Sequence, residues 1–281
     1  MSTCYLNGTY LDLSEARVSV LDRGFIFGDA VYEVIPAPGG RFFGLGEHLA
    51  RLERSLAAVQ IASPMSAEDW CGILHELLVR NAAGDVSVYL QVTRGVAERD
   101  HAFPDNIRPT VFAMCKPLPA QQGLTRVSAI TLPDNRWGRC DIKSTSLLAN
   151  VLLRNEAVRR GCYEAVLVRD GLLTEGAASN VFVVHGGLVR TPPLGPGLLA
   201  GVTRELLITA LRRDGCSVQE VDIGVEQLVS ADEIWLTSSS RDLVCVDTLD
   251  QQRVGDGEHY PLAATALTAL AAERRRRDSA A

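Results

Sequence analysis

Lysine is scarce in this chain: of its 28 basic residues only Lys116 and Lys143 are lysines, and the rest are arginines. An ammonium can shed its proton in a desolvated pocket and attack a carbonyl, which a guanidinium cannot do. Lys116 stands in Cys115-Lys116-Pro117-Leu118-Pro119-Ala120-Gln121-Gln122, whose prolines and small polar residues read as an exposed connector. Lys143, in Arg139-Cys140-Asp141-Ile142-Lys143-Ser144-Thr145, falls between an apolar strand pattern and an apolar helix pattern, where a cleft can hold a side chain. On that ground alone two readings of Lys143 stay open: a nucleophilic amine, or a surface lysine that snorkels.

Other residues become coherent with Lys143 if the ligand is an aldehyde carrying a phosphate and a basic ring nitrogen. Arg51 offers a bidentate fork, and the helix start at Gly201-Val202-Thr203 offers amides and a hydroxyl. Ser238 and Ser239, in a hydroxyl-rich turn, offer further donors. Glu175 follows a strand and could hold the charge of a protonated ring nitrogen, making the ring an electron sink. Each item alone has an ordinary structural explanation, since strand-end Glu and clustered Ser commonly sit in solvated turns. Composition and spacing lead to a pocket and stop there.

The elements that must position these groups are short and mixed. Asn7-Gly8 predicts a hairpin over 3–12, and Pro38-Gly39-Gly40 predicts a second one from Ala30 to Leu45. Glycines in 22–29 predict tightly bent backbone. Leu49, Leu52, Leu56 and Val59 recur at helical spacing, and Ser66 with Asp69 predicts a capping box opening a helix to about Asn81. Strands are expected at 86–92, 109–114 and 124–132, a helix over 147–160 and two hairpins over 165–187. A helix from Gly201 to Gly215 follows, then strands near 218–221 and 233–237 with a short helix between, and a last helix from about Pro261. No regular strand–helix alternation runs through the chain, so the expected fold class is mixed α/β of the α+β kind. At 281 residues two domains are expected: 1–116, a linker at 117–122, and 123–281 carrying Lys143.

A net charge of −6 argues against a general nucleic-acid or acidic-membrane binder. The run Arg274-Arg275-Arg276-Arg277 reads as complementing a helix dipole. No long apolar span or secretory signal is visible, so a cytoplasmic protein is expected. Seven scattered cysteines and five dispersed histidines show no metal-type spacing, so reduced thiols and no metal are expected.

The order of motifs resembles a known family. Asp141-Ile142-Lys143, then Glu175-Gly176-Ala177-Ala178-Ser179-Asn180-Val181-Phe182, then Leu199-Ala200-Gly201-Val202-Thr203-Arg204, is similar to the fold type IV pyridoxal 5'-phosphate enzymes, from Leu21-Asp22-Arg23-Gly24 to the serine turn. The resemblance implies a two-domain architecture, with Lys143 as the Schiff-base lysine, Glu175 as partner of the pyridine nitrogen and Arg51 as phosphate arginine. It places Val202, Thr203, Ser238 and Ser239 in the phosphate cup and Leu199 against the ring. Within the family, Gln91-Val92-Thr93-Arg94-Gly95 with Arg99, His101, Phe103 and Pro104 resembles the D-amino acid aminotransferases. That likeness implies that Tyr32, Arg99 and His101 bind the substrate α-carboxylate, the last two across a homodimer interface. Ala177 and Ala178 depart from the pattern, since serines are frequent there, and Ser239 stands where threonine is common.

The implied activity is transamination between a D-amino acid such as D-alanine and 2-oxoglutarate or pyruvate. Branched-chain L-aminotransferases and R-selective amine transaminases share the fold and are the nearest alternatives. An aminodeoxychorismate lyase would instead release pyruvate without an amino acceptor, and a non-catalytic cofactor holder would show no half-reaction.

Overall fold

The computed structural model describes residues 2–81, 84–119 and 123–278. The chain divides into two compact units, Met1–Ala120 with Ile142–Leu147, and Gln121–Asp141 with Leu148–Ala281.

The first unit is built on a five-stranded antiparallel sheet. Its strands are β1 (Thr3–Leu6), β2 (Thr9–Asp12), β3 (Ala30–Ala37), β4 (Val86–Thr93) and β5 (Thr110–Pro117), in the order β2-β1-β5-β4-β3. Asn7 and Gly8 both have positive φ, 48° and 94°, as a two-residue hairpin turn with the sheet's own twist requires. α1 (Arg23–Phe27) is a single turn, with Asp22 accepting from the Gly24 amide at its start. α2 (Leu45–Ala58) and α3 (Ala67–Arg80) present Leu49, Leu52, Leu56, Trp70, Leu74 and Leu77 to Val31, Ile35, Val88, Leu90 and Val92 of the sheet. Each such leucine, buried, contributes about 1.5–3 kcal/mol. The expected capping box is present: Ser66 and Asp69 exchange side-chain and backbone bonds.

The expected hairpin from Ala30 to Leu45 does not form. β3 pairs along its whole length with β4, and Pro38–Gly40 is a 3₁₀ turn rather than a hairpin loop. Phe42 and Phe43 are too few to build a return strand before Gly44, at φ 71°, starts α2. The tertiary partner therefore took the edge that the local turn suggested.

Lys143 also departs from the expected division, because 142–147 packs with the first unit. The Tyr32 amide donates to the Lys143 carbonyl and the Thr145 amide to the Ala30 carbonyl, both at 3.0 Å, and Val31 bridges Ser144. Ile142 is buried in that unit's core. β3 is the edge strand of its sheet, so its unpaired groups are satisfied by this passing segment. Of the expected linker, Pro117 still belongs to β5, and 120–122 lie outside the described residues.

The second unit carries a mixed sheet of β6 (Thr125–Pro133), β7 (Glu164–Arg169), β8 (Leu172–Gly176), β9 (Asn180–His185), β10 (Leu188–Thr191), β11 (Val218–Glu220), β12 (Glu233–Ser238) and β13 (Asp242–Leu249), with β14 (Gln252–Arg253) beside β13. Its order is β11-β10-β9-β12-β13-β6-β7-β8. β6 and β7 are parallel and linked through α4 (Leu148–Arg159), and β10 and β11 are parallel and linked through α5 (Val202–Arg213). The remaining helices are α6 (Val225–Val229) and α7 (Pro261–Asp278). The core gathers Val166, Val181, Val183, Ile223, Ile234, Leu236 and Val246. The fold is therefore α+β, as expected from the mixed element order. The basic run at the end of α7 is tied to acids: buried Glu273 accepts from Arg213, Arg276 and Arg277, and Asp242 from Arg274.

Candidate active site

Five of the singled-out residues lie in the first unit. The Lys143 ammonium nitrogen sits 4.2 Å from the centroid of the Tyr32 ring, a cation–π distance. The same backbone bond that joins Tyr32 to Lys143 fixes their register, and the Lys143 amide also donates to Ser55 Oγ of α2 at 3.3 Å. The Tyr32 ring in turn stacks on Tyr89 of β4 at 5.6 Å. Lysine and tyrosine are thus brought together by one strand edge.

Arg51 lies one turn before Ser55 on α2 and is almost fully buried. Its Nε and Nη2 form a fork on Glu33, at 2.8 Å to each carboxylate oxygen. His48 Nδ1 meets the same carboxylate at 2.7 Å. Burial alone would push the Glu33 carboxyl up, but the Arg51 charge and the two sets of hydrogen bonds outweigh it and hold the group down at about 2. Burial also pulls the His48 imidazole below its ordinary value, against the opposing pull of Glu33. Glu33 was not singled out from sequence, although an acid at the alternate position between Val31 and Ile35 was the available signal. Arg99 and His101 form a separate cluster on an irregular loop, both against the Phe27 ring.

The other residues lie in the second unit. Glu175, at the end of β8, is 6 % exposed and accepts from three donors. Arg136 Nη1 bonds Oε1, and Asn180 Nδ2 and the Leu199 amide bond Oε2 at 3.2 and 3.0 Å. Burial drives this carboxyl up to about 7 even though Arg136 and the Leu199 amide pull the other way. Arg136 is itself clamped by Asp134 through Nε and Nη2, both at 2.9 Å, and Asp134 also accepts from Thr174 and Arg169. In this unit Arg136, Asp134 and Asn180 are the residues that sequence reading missed. Arginine is common in this chain, so Arg136 carried no signal of its own.

Leu199 is thus tied to Glu175 by its own amide, and its carbonyl accepts from Asn180 at 2.9 Å. Val202 and Thr203 open α5 after Gly201, and no side chain caps that helix start. A Cβ on Gly201 would stand 1.9 Å from Asn180 Oδ1, so only glycine leaves the approach open. Ser238 and Ser239 are half-buried at the end of β12, following Thr237, whose buried hydroxyl has no hydrogen-bond partner among the described residues. Ala178 presents its amide, and Ser179 its hydroxyl, to Glu164.

These features suit a phosphorylated cofactor with a basic ring. An uncapped helix start and an unpartnered buried hydroxyl call for an anion. A buried carboxylate whose charge is disfavoured calls for a cation.

The chain matches the family described as amino-transferase class IV over residues 30–249. It is 40% identical over 266 residues to the D-alanine aminotransferase of Bacillus licheniformis, spanning 94% of each chain. It is 37% identical over 265 residues to the D-alanine aminotransferase of Staphylococcus haemolyticus, spanning 93% of this chain and 94% of the relative. Its fold is similar to that of a T.th. branched-chain amino acid aminotransferase solved with pyridoxamine 5'-phosphate, with a TM-score of 0.88, 25% identity, and coverage of 98% and 94%. A match over most of the sequence, with the fold to go with it, makes this chain a member of the class IV amino-transferases.

Proposed function

We propose that this chain transfers the amino group of a D-amino acid, D-alanine among them, to a 2-oxo acid such as 2-oxoglutarate or pyruvate, using pyridoxal 5'-phosphate. The observation that carries this reading is the 40% identity, over nearly the whole of both chains, to a D-alanine aminotransferase. When bound, the cofactor supplies an aldehyde that exchanges amines and a ring that stores an electron pair. Lys143 Nζ is the amine that would hold the cofactor's aldehyde and, when free, would serve at the substrate α-carbon as base and then acid. Glu175, held in place by Arg136, Asn180 and the Leu199 amide, would keep a proton on the ring nitrogen. Arg51, the α5 start at Val202 and Thr203, and Ser238 and Ser239 would hold the phosphate, and Leu199 would pack on the ring.

Tyr32, Arg99 and His101 bind the α-carboxylate and so decide which hand of substrate presents its α-hydrogen. In this reading the enzyme is a homodimer in which Arg99 and His101 serve the partner's site, and it works in the cytoplasm. Among the described residues no helix is long and apolar enough to cross a membrane.

Branched-chain transamination is the second reading, favoured by the fold likeness alone. Cofactor absorbance recorded while D-alanine, L-alanine and L-leucine are added in turn separates the two. Loss of the resting cofactor's absorbance band with D-alanine alone is expected, and a response to L-leucine but not D-alanine would replace the D reading.

A further inference from the structure

Two nearly fully buried guanidiniums of the first unit are spent on a surface loop. Arg23, 3 % exposed, donates from Nη1 to the carbonyls of Asp100 at 2.6 Å and Ala102 at 3.3 Å. Its Nε bonds Asp29 Oδ2 at 2.8 Å. Arg94, 4 % exposed, grips the same carboxylate through Nε and Nη2, at 2.7 and 3.0 Å, and its remaining donors tie it to the Val59 and Gln60 carbonyls behind α2. The Arg94 guanidinium lies 3.6 Å from the Phe103 ring centroid, although that ring is 53 % exposed. Phe27 completes the arrangement, with Arg99 5.3 Å from its centroid and the His101 ring at 5.5 Å.

The stretch between β4 and β5 has no regular structure around its tip, and ordering such backbone costs about 1–2 kcal/mol per residue. Here that cost is offset beside His101: Arg23 holds the Asp100 and Ala102 carbonyls, Phe103 anchors on Arg94, and one acid holds both arginines. Burial would raise the Asp29 carboxyl, but Arg94 and Arg23 hold it below the usual carboxylate range, so the clamp keeps its charge. Arg99 and His101 are both exposed, and both lie against the Phe27 ring.

We propose that Asp29, with Arg23, Arg94, Phe27 and Phe103, is a positioning cluster that fixes Arg99 and His101 in the geometry needed to grip a carboxylate-bearing substrate. None of the five touches substrate in this account; they act through the loop. The inference rests on the reading of Arg99 and His101 as carboxylate ligands given under Proposed function.

The test is steady-state and half-reaction kinetics of the holoenzyme with D-alanine. Phe27→Leu and Phe103→Leu should each raise KM about tenfold with kcat and cofactor affinity changed less than twofold, because a misplaced ligand weakens binding more than proton transfer. Asp29→Asn should do the same more strongly, and if it fails to fold, the two uncharged leucine variants carry the test. In an Arg99→Ala/His101→Ala background Phe27→Leu should add little further effect, since both of its routes would already be cut. Arg99→Ala raising KM while both leucine variants leave it unchanged would overturn the positioning role alone. An equal factor from Phe27→Leu in both backgrounds would overturn it too. Arg99→Ala leaving KM unchanged would overturn the carboxylate reading itself, and the inference with it.

Discussion

Glu175 is a carboxylate in a place that resists its charge. Between its ordinary value of 4.5 and about 7 the folded protein binds a proton that the unfolded chain does not. Stability contributed by this group therefore falls as pH rises through that window, by roughly 3 kcal/mol in all. With the cofactor removed, Glu175→Gln should melt at the same temperature as the parent near pH 4.5 and several degrees higher above pH 7, read by calorimetry. Glu33 has the opposite sign. Its depressed carboxyl contributes stability that is complete above its ordinary value and lost only as pH falls towards about 2. Glu33→Gln leaves Arg51 and His48 buried against a neutral amide, at a cost of roughly 3–5 kcal/mol. It should lower Tm across the neutral range and loosen cofactor binding in a dialysis titration. Lys143→Ala should abolish the half-reaction with D-alanine while the circular dichroism spectrum stays unchanged; Lys143→Arg should fare no better, because its fixed charge cannot act as a base.

At the scale of elements, the start of α5 is shaped by what is missing. Gly201 gives the helix no capping side chain, and Asn180 stands where any Cβ would go. Gly201→Ala should displace Asn180, and with it a donor to Glu175, so cofactor affinity should fall at least tenfold in a fluorescence titration while Tm drops modestly. Element types were largely legible from sequence, because α2, α3, β4 and the hairpin at Asn7-Gly8 carry strong period and turn signals. The hairpin expected after β3 was not, because Pro38-Gly39-Gly40 is a genuine turn signal and only tertiary pairing reveals β4 as the neighbour. Lys143, Glu175 and Tyr32 stood out through residue type and motif order. Arg136 and Asn180 did not, since they act by holding Glu175, and a supporting hydrogen bond leaves no period or spacing in a sequence.

At the scale of the whole molecule, apolar side chains remain uncovered in a single copy. Phe25 and Leu148 are each 72 % exposed, and Leu152 on α4 is 60 % exposed. Lone exposed hydrophobes are ordinary, but several on one short helix are a feature of interfaces. If the chain is a homodimer, sedimentation should give twice the chain mass. Leu152→Glu should then shift it towards the monomer and reduce turnover in parallel, since Arg99 and His101 would lose the partner they serve.

The segment 142–147 belongs to the first unit, yet it follows the first strand of the second in the chain. A ribosome delivers residues 1–119 well before Val31 can meet Ser144 or Ala30 can accept from Thr145. During synthesis the edge of β3 therefore stays open until some twenty-five further residues have emerged. Nascent chains arrested with residue 119 just clear of the exit tunnel should be readily cut by protease around β3, and chains arrested with residue 147 clear of it should resist. The lysine reaches its place with the last segment of a unit that began without it.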